Sequence, residues 1–310
     1  MKDTSILQFS IARGIGEATI KKILQYIETN HFTCDELANA PDLMAALGLK
    51  EDVVNSVMAS KSQAEKLADD LYCKGVEILT ENETDYPLQL KTKLGKTCPP
   101  LLFVKGNKEL LNSVSVGFCG SRKASEKGLS IAADCSKQLA ERKITVISGY
   151  ASGTDMAAHK SSLMNGGNTV LVLAEGMLRS SLKKDIQSYL NEKNHVFISQ
   201  FMPNTTWNAG NAMRRNSTII GLSRAMILVE SGKTGGTFAA GEEALRVGCP
   251  LFVIDFSKPE VSAEANPYFI EKGGMPIRGK KGIPNLEKVF RAIDDSGQAP
   301  PCSEQLMLEL

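Results

Sequence analysis

No two cysteines stand in a CxxC spacing, and the seven present (Cys34, Cys73, Cys98, Cys119, Cys135, Cys249 and Cys302) are scattered and odd in number. That pattern excludes a disulfide framework and a zinc ribbon and fits reduced thiols, so no structural metal is expected. No apolar run approaches the ~20 residues needed to cross a bilayer. The start, MKDTSILQFS, has no charged segment leading into a long apolar core. The expectation is a cytoplasmic chain with no membrane contact. An excess of either charge is also missing: 36 Lys plus Arg stand against 35 Asp plus Glu, a formal net charge of +1. A basic coat is thereby excluded, and any site for nucleic acid has to be a local patch. GxGxxG is absent, which removes the best argument for NAD or FAD. The Walker pattern GxxxxGK followed by Ser or Thr is absent too, which disfavours ATP hydrolysis. No cofactor and no catalytic residue is expected.

What is present is a chain of 310 residues, 42% of them hydrophobic, long enough for two domains and a sizeable core. Residues 1–70 read as a small all-helical domain. In ILQFSIARGIGEATIKKILQYI, apolar residues recur at helical spacing on both sides of GIG, a glycine pair that permits a tight turn. Such a module resembles a helix-hairpin-helix or sterile-alpha-motif unit, which either aims backbone amides at phosphates or simply packs. DELANAPDLMAALGL and EDVVNSVMASKSQAEKLADDLYCKG read as its further helices. The stretch through Tyr86-Pro87 and Pro99-Pro100 predicts an edge hairpin or an extra strand. From Ser113 the rhythm becomes strand, turn, helix: SVSVGF, ITVISG, NTVLVLA, HVFISQ, AMILVE and PLFVID are short β-rich runs with amphipathic stretches between most of them. Near-continuous apolar strands separated by helices imply an α/β fold, a doubly wound, Rossmann-like parallel sheet covered on both faces, assigned here to residues 71–290. Residues 291–310, mostly polar and containing a Pro-Pro pair, are expected to form a mobile tail.

In open parallel sheets ligands bind outside the carboxyl ends of the strands. The segments in those positions are polar and small. CGSRKASEKG offers Gly120, Ser121, Arg122 and Ser125, a close-approach glycine and a fork-shaped cation before a helix N-terminus. SGYASGTDMAAH offers Gly149, Gly153 and Asp155, with Asp155 expected to cap the helix or to orient a ligand-facing amide and His159 as a hydrogen-bonded packing residue. Arg214, Arg215 and Asn216 are expected at a helix start facing the same rim, where arginines suit phosphate oxygens. SGKTGGT adds Lys233, Thr234, Gly235, Gly236 and Thr237 at another helix mouth. Each loop alone reads as a structural turn; four on one sheet edge point to a phosphate-bearing ligand.

Taken in order, GSRKAS, SGYASGTDMAAH, GGNTVLVLAEG, RRNSTIIGLS, TGGTFAAGEEALRVGCPLFVI and ANPYFIEKGG, with DYPLQL and CPPLLFVKGN upstream, resemble the DprA/Smf family of DNA-processing proteins over roughly residues 70 to 290. The resemblance implies an extended Rossmann domain, a homodimer, binding of single-stranded DNA, and a recombination-mediator role that loads RecA and protects DNA taken up in transformation. It implies that Arg122 and Arg215 contact the DNA backbone while the SGYASGTD and TGGT loops line the pocket. The chain departs from the family where RNR has become Arg215, Asn216 and Ser217, where an aromatic and a proline have become Ala212 and Met213, and where Tyr150 and Thr154 replace residues of GLA and GID.

A rival reading comes from LOG-type phosphoribohydrolases, which share the fold and read GGxGTxxE. Three residues beyond Thr237 stands Ala240, with Glu242 and Glu243 further on. A carboxylate two positions away on a helix points to another face. What survives of that reading is a non-catalytic nucleotide sensor, as in phage defence.

Overall fold

The computed structural model describes residues 2–280 and 282–296. Six helices come first: α1 (Lys2–Ile11), α2 (Glu17–Asn30), α3 (Cys34–Ala38), α4 (Pro41–Ala46), α5 (Glu51–Ala59) and α6 (Lys61–Cys73). In α2 the buried residues Ile20, Ile23, Leu24 and Ile27 fall on one stripe. The helix stops at His31, which takes a left-handed φ of 57° and returns its N–H to Glu28 and Ile27. The long helical runs read in the sequence are divided. Pro41 cannot continue α3 and instead opens α4 as its first residue, and a bend at Ser60 separates α5 from α6.

The rest is built on β1 (Glu77–Thr80), α7 (Leu88–Leu94), β2 (Leu101–Gly106), β3 (Ser115–Cys119), α8 (Glu126–Glu141), β4 (Thr145–Ser148), α9 (Thr154–Met164), β5 (Thr169–Val172), α10 (Lys184–Gln187), β6 (His195–Ser199), α11 (Ala209–Leu222), β7 (Ala225–Leu228), α12 (Gly236–Arg246), β8 (Leu251–Ile254), α13 (Asn266–Glu271) and β9 (Met275–Ile277). A two-stranded ribbon, β10 (Gly279–Lys280) with β11 (Ile283–Pro284), leads into α14 (Glu287–Ser296). The tail expected from residue 291 thus begins inside α14, where Ile293 is buried. Residues 297–310 lie outside the described residues.

The nine-stranded sheet runs β1-β2-β6-β5-β4-β3-β7-β8-β9. Pairings from β6 through β9 are parallel, while β1 with β2 and β2 with β6 are antiparallel. This is the doubly wound sheet read in the sequence, with the expected extra strands on one edge. Side chains alternate between its faces. Val170 and Val172 join a core under α7, α11, α12 and α13, whereas Leu171 and Leu173 point the other way. On that second face α8 and α14 cover β3, β7 and β8. The half formed by β1, β2, β5 and β6 is closed by the front helices: Ile78, Phe103, Leu171 and Phe197 share one apolar cluster with Phe9, Ile23 and Leu71. The helical module therefore roofs the sheet directly, and the core does not break at residue 70.

The GIG turn packs inside the front module, against α5. Gly14 takes φ 85° beside Val53, and the Arg13 amide donates to Ser56 Oγ of α5 at 2.8 Å.

Candidate nucleic-acid interface

Chain order runs outward from β3 through β4 and β5 to β6, then returns via α11 to β7 on the other side of β3. The β3/β7 junction is thus the switch point, where the loops after two neighbouring strands part and leave a crevice. A cleft of about 500 Å³ opens there. It is lined by Gly120, Ser121 and Arg122 after β3, Asp155 at the start of α9, Arg215 and Asn216 on α11, and Thr234, Gly235, Gly236 and Thr237 before and in α12. Ten of the fifteen candidate residues therefore meet around one space. Asn216 Nδ2 donates to the Gly236 carbonyl at 3.0 Å and ties α11 to the mouth of α12. At Gly236 nothing in the protein would touch a Cβ, so there is open space beside the backbone at the mouth of α12.

Arg215 is the electrostatic centre. It is 6% exposed, and its nearest carboxylate, Asp155 Oδ2, is 3.9 Å from Nη1. Its Nε has no hydrogen-bond partner. Burial pulls this guanidinium below the ordinary arginine range, Asp155 opposes that pull, and Arg122 adds to it. A buried cation held by one long ion pair keeps donor capacity that an anion entering the cleft can use. Asp155 is not a helix cap: Gly153 occupies the cap position of α9, and the Asp155 carboxylate accepts from the Ala151 amide at 3.2 Å, closing the loop beside Arg215.

The other candidates sit outside the cleft lining. Gly149 lies under the Arg215 guanidinium and, with Arg122 and Arg215, borders a second, smaller recess. Gly153, at φ 78°, lets the α9 start approach the Ser121 and Arg122 carbonyls. Ser125 caps α8, accepting from Gly128 N, and donates to the buried Glu230 at 2.5 Å. Lys233 is exposed and lies 3.4 Å from Glu264. Arg214 and Arg215 sit within α11, whose first residue is Ala209, not at its start. Adjacent residues on a helix point about 100° apart, so Arg214 faces the front module. There it pairs with Glu17 at 2.5 Å and lies over the Phe201 ring.

The profile of the DNA recombination-mediator protein A family matches residues 77–286. The chain belongs to that family. Among curated relatives it is similar to the DNA processing protein DprA of Streptococcus pneumoniae, at 31% identity over 60% of this chain and 66% of that protein. It is also similar to DprA of Bacillus subtilis, at 26% over 72% and 73%. The solved structure of pneumococcal DprA superposes with a TM-score of 0.70 and 25% identity, covering 90% of this chain and 94% of that one. A structure described for the single-stranded DNA binding mode of DprA from Helicobacter pylori shares the fold at a TM-score of 0.55 and 19% identity, over 71% and 95%. The family is named for a mediator role, not for a catalysed reaction. At and just beyond the position where a LOG-type hydrolase would place its carboxylate, Ala240 is buried in α12, Glu243 is bidentate with Arg246, and neither Glu242 nor Glu243 lines the cleft.

Beside this cleft stands one residue that sequence reasoning passed over. Trp207, the chain's one tryptophan, is half exposed in the loop before α11, with the Arg122 guanidinium 5.1 Å from its ring centroid. The signal available was an aromatic in the polar run MPNTTWNAG, close ahead of RRN. Tyr150 is buried at a left-handed φ of 56°, and its hydroxyl accepts from the Lys183 amide. His159 is fully buried, as expected of a packing residue, with Nδ1 2.6 Å from Thr169 Oγ1. Thr169 donates its own proton to the Val146 carbonyl, which leaves Nδ1–H as the donor and Nε2 bare. Among the described residues no cluster of ligands could hold a metal, and no helix is long and apolar enough to cross a membrane.

Proposed function

We propose that the cleft at the β3/β7 junction binds the sugar-phosphate backbone of single-stranded DNA, and that the protein acts as a recombination mediator which covers such strands and hands them to RecA. One observation carries this reading: Arg215 is a buried guanidinium whose Nε lacks a partner, set beside Arg122 at the lip of an open cleft. Backbone contacts from arginines and bare amides are sequence-independent, as a protein that coats arbitrary strands requires. The contact set is Gly120, Ser121, Arg122, Arg215, Asn216 and the Thr234–Thr237 loop. Ser125, Gly149, Gly153 and Asp155 hold these groups in place. The named activity of the DprA relatives supports the same reading, as does the single-stranded DNA named for the H. pylori protein. A homodimer and a cytoplasmic location belong to it as well.

The size of the cleft favours one further reading. A volume of about 500 Å³ is also that of a small-molecule site, which suits a non-catalytic mononucleotide sensor. Titration of labelled single- and double-stranded oligonucleotides across a salt series separates the two. The mediator reading expects tighter binding of the single strand, with affinity falling linearly in log[salt]. Absence of oligonucleotide binding together with saturable binding of a deoxynucleoside monophosphate would favour the sensor.

A further inference from the structure

Next to the cleft is a recess of about 260 Å³, bordered like the cleft itself by Arg122 and Arg215. Trp207 and Glu175 stand on its wall. It is smaller than a usual small-molecule site, with room for one ring system rather than a whole strand.

The two residues are held as a unit. The Gly176 amide donates to the Thr205 carbonyl at 2.8 Å, Leu178 N–H donates to the Pro203 carbonyl at 3.0 Å, and Ser199 Oγ donates to the Glu175 carbonyl at 2.7 Å. The strand end carrying Glu175 and the loop carrying Trp207 are thus bonded to each other within two residues of both side chains. These bonds place the loop, and the half-exposed indole it carries offers a surface on which a base can stack.

Glu175 is the anomaly. A carboxylate among Arg122, Arg215 and Lys183 opposes the passage of phosphates, yet no cation lies within ion-pair distance of it among the described residues. Arg179, the nearest cation along the chain, donates its Nε to the Asn204 carbonyl, and Lys183 gives its ammonium to the Tyr150 carbonyl and ring. An ionised carboxylate only accepts hydrogen bonds. The neutral donors that a single strand can bring are base edges, exposed when a base is splayed out. Guanine presents N1–H and N2–H side by side, matching two carboxylate oxygens. Cytosine and adenine present one amino group, and thymine presents N3–H between two repelling carbonyls.

We propose that this recess is a nucleobase site in which a base stacks on Trp207 and Glu175 reads its edge, so that the protein prefers strands placing guanine there and disfavours thymine. The inference rests on the reading that the strand's backbone follows Arg122 and Arg215.

The test compares anisotropy titrations of a labelled oligothymidylate with the same strand carrying one central dG, or inosine, which lacks the N2 amine. Emission from the sole tryptophan is followed in parallel. The dG strand is expected to bind about tenfold tighter, the scale of a good bidentate contact to a base, and to quench Trp207 more strongly, with inosine intermediate. Glu175→Gln should bring the two strands within about twofold, with oligothymidylate binding equally well or better because a repelling charge is gone. Equal binding of both strands by the native protein, or a guanine preference that persists in Glu175→Gln, overturns the proposal. Salt-dependent binding of oligothymidylate without any preference sinks this inference alone; failure of every strand to bind sinks the backbone reading with it.

Discussion

A Cβ on residue 149 would lie inside the van der Waals radius of Arg215 Nη1. The guanidinium reaches the cleft only because its path crosses a glycine, so the loop after β4 and the helix α11 are mutually fitted at this point. Overpacking typically costs about 1–3 kcal/mol. Gly149→Ala is therefore expected to lower unfolding stability by that order and, by pushing Arg215 aside, to weaken single-stranded DNA binding at least about tenfold. Chemical denaturation alongside anisotropy checks both. Native-like affinity in a destabilised variant would mean that Arg215 does not serve the strand.

The neighbouring arginines should behave oppositely. Arg214 and Glu17 have half-exposed side chains, a type of pair worth about 0–1 kcal/mol, and Arg214 points away from the cleft. Arg214→Ala should leave oligonucleotide affinity within about twofold. Arg122→Ala should weaken binding to all sequences and reduce the salt slope by roughly 0.7, the value for one phosphate contact on a single strand. A larger loss from Arg214→Ala than from Arg122→Ala would reverse the assignment.

Acid should expose His159. Burial, aided by Lys183 and Arg215, depresses its pKa from 6.5 to about 3. Above pH 6.5 the ring is neutral whether the chain is folded or not. Between 6.5 and about 3 only the unfolded chain takes the proton, so stability falls as pH drops, by up to ~1.4 kcal/mol per unit from this group. Denaturant midpoints measured across this range should fall less steeply in His159→Gln. Identical slopes would show that another group controls the acid limb.

Much of the fold was legible because burial on both faces writes parallel strands as short apolar runs. All six runs read from residue 113 onward coincide with β3 to β8. The loops that follow them were legible for a related reason: small and polar residues directly after such strands are where backbone must turn near a ligand. Two helical runs were read too long: Pro41 is a local stop signal that the apolar spacing around it masked, and the break at Ser60 carries no such signal. Trp207 went unremarked because its meaning comes from Arg122 and Glu175, which lie far from it along the chain.

From the sequence alone came the identity of the strands, the chemistry of the loops behind them and the local rather than global placing of positive charge, because hydrophobic periodicity and turn chemistry are properties of neighbouring residues. Only the tertiary structure decided that Arg215 turns inward and Arg214 outward, that the front helices roof half the sheet, and that an indole and a carboxylate share one recess. Those outcomes depend on which elements pack together, and packing is settled by the rotation of each helix against the sheet and by crossovers between residues distant in the chain.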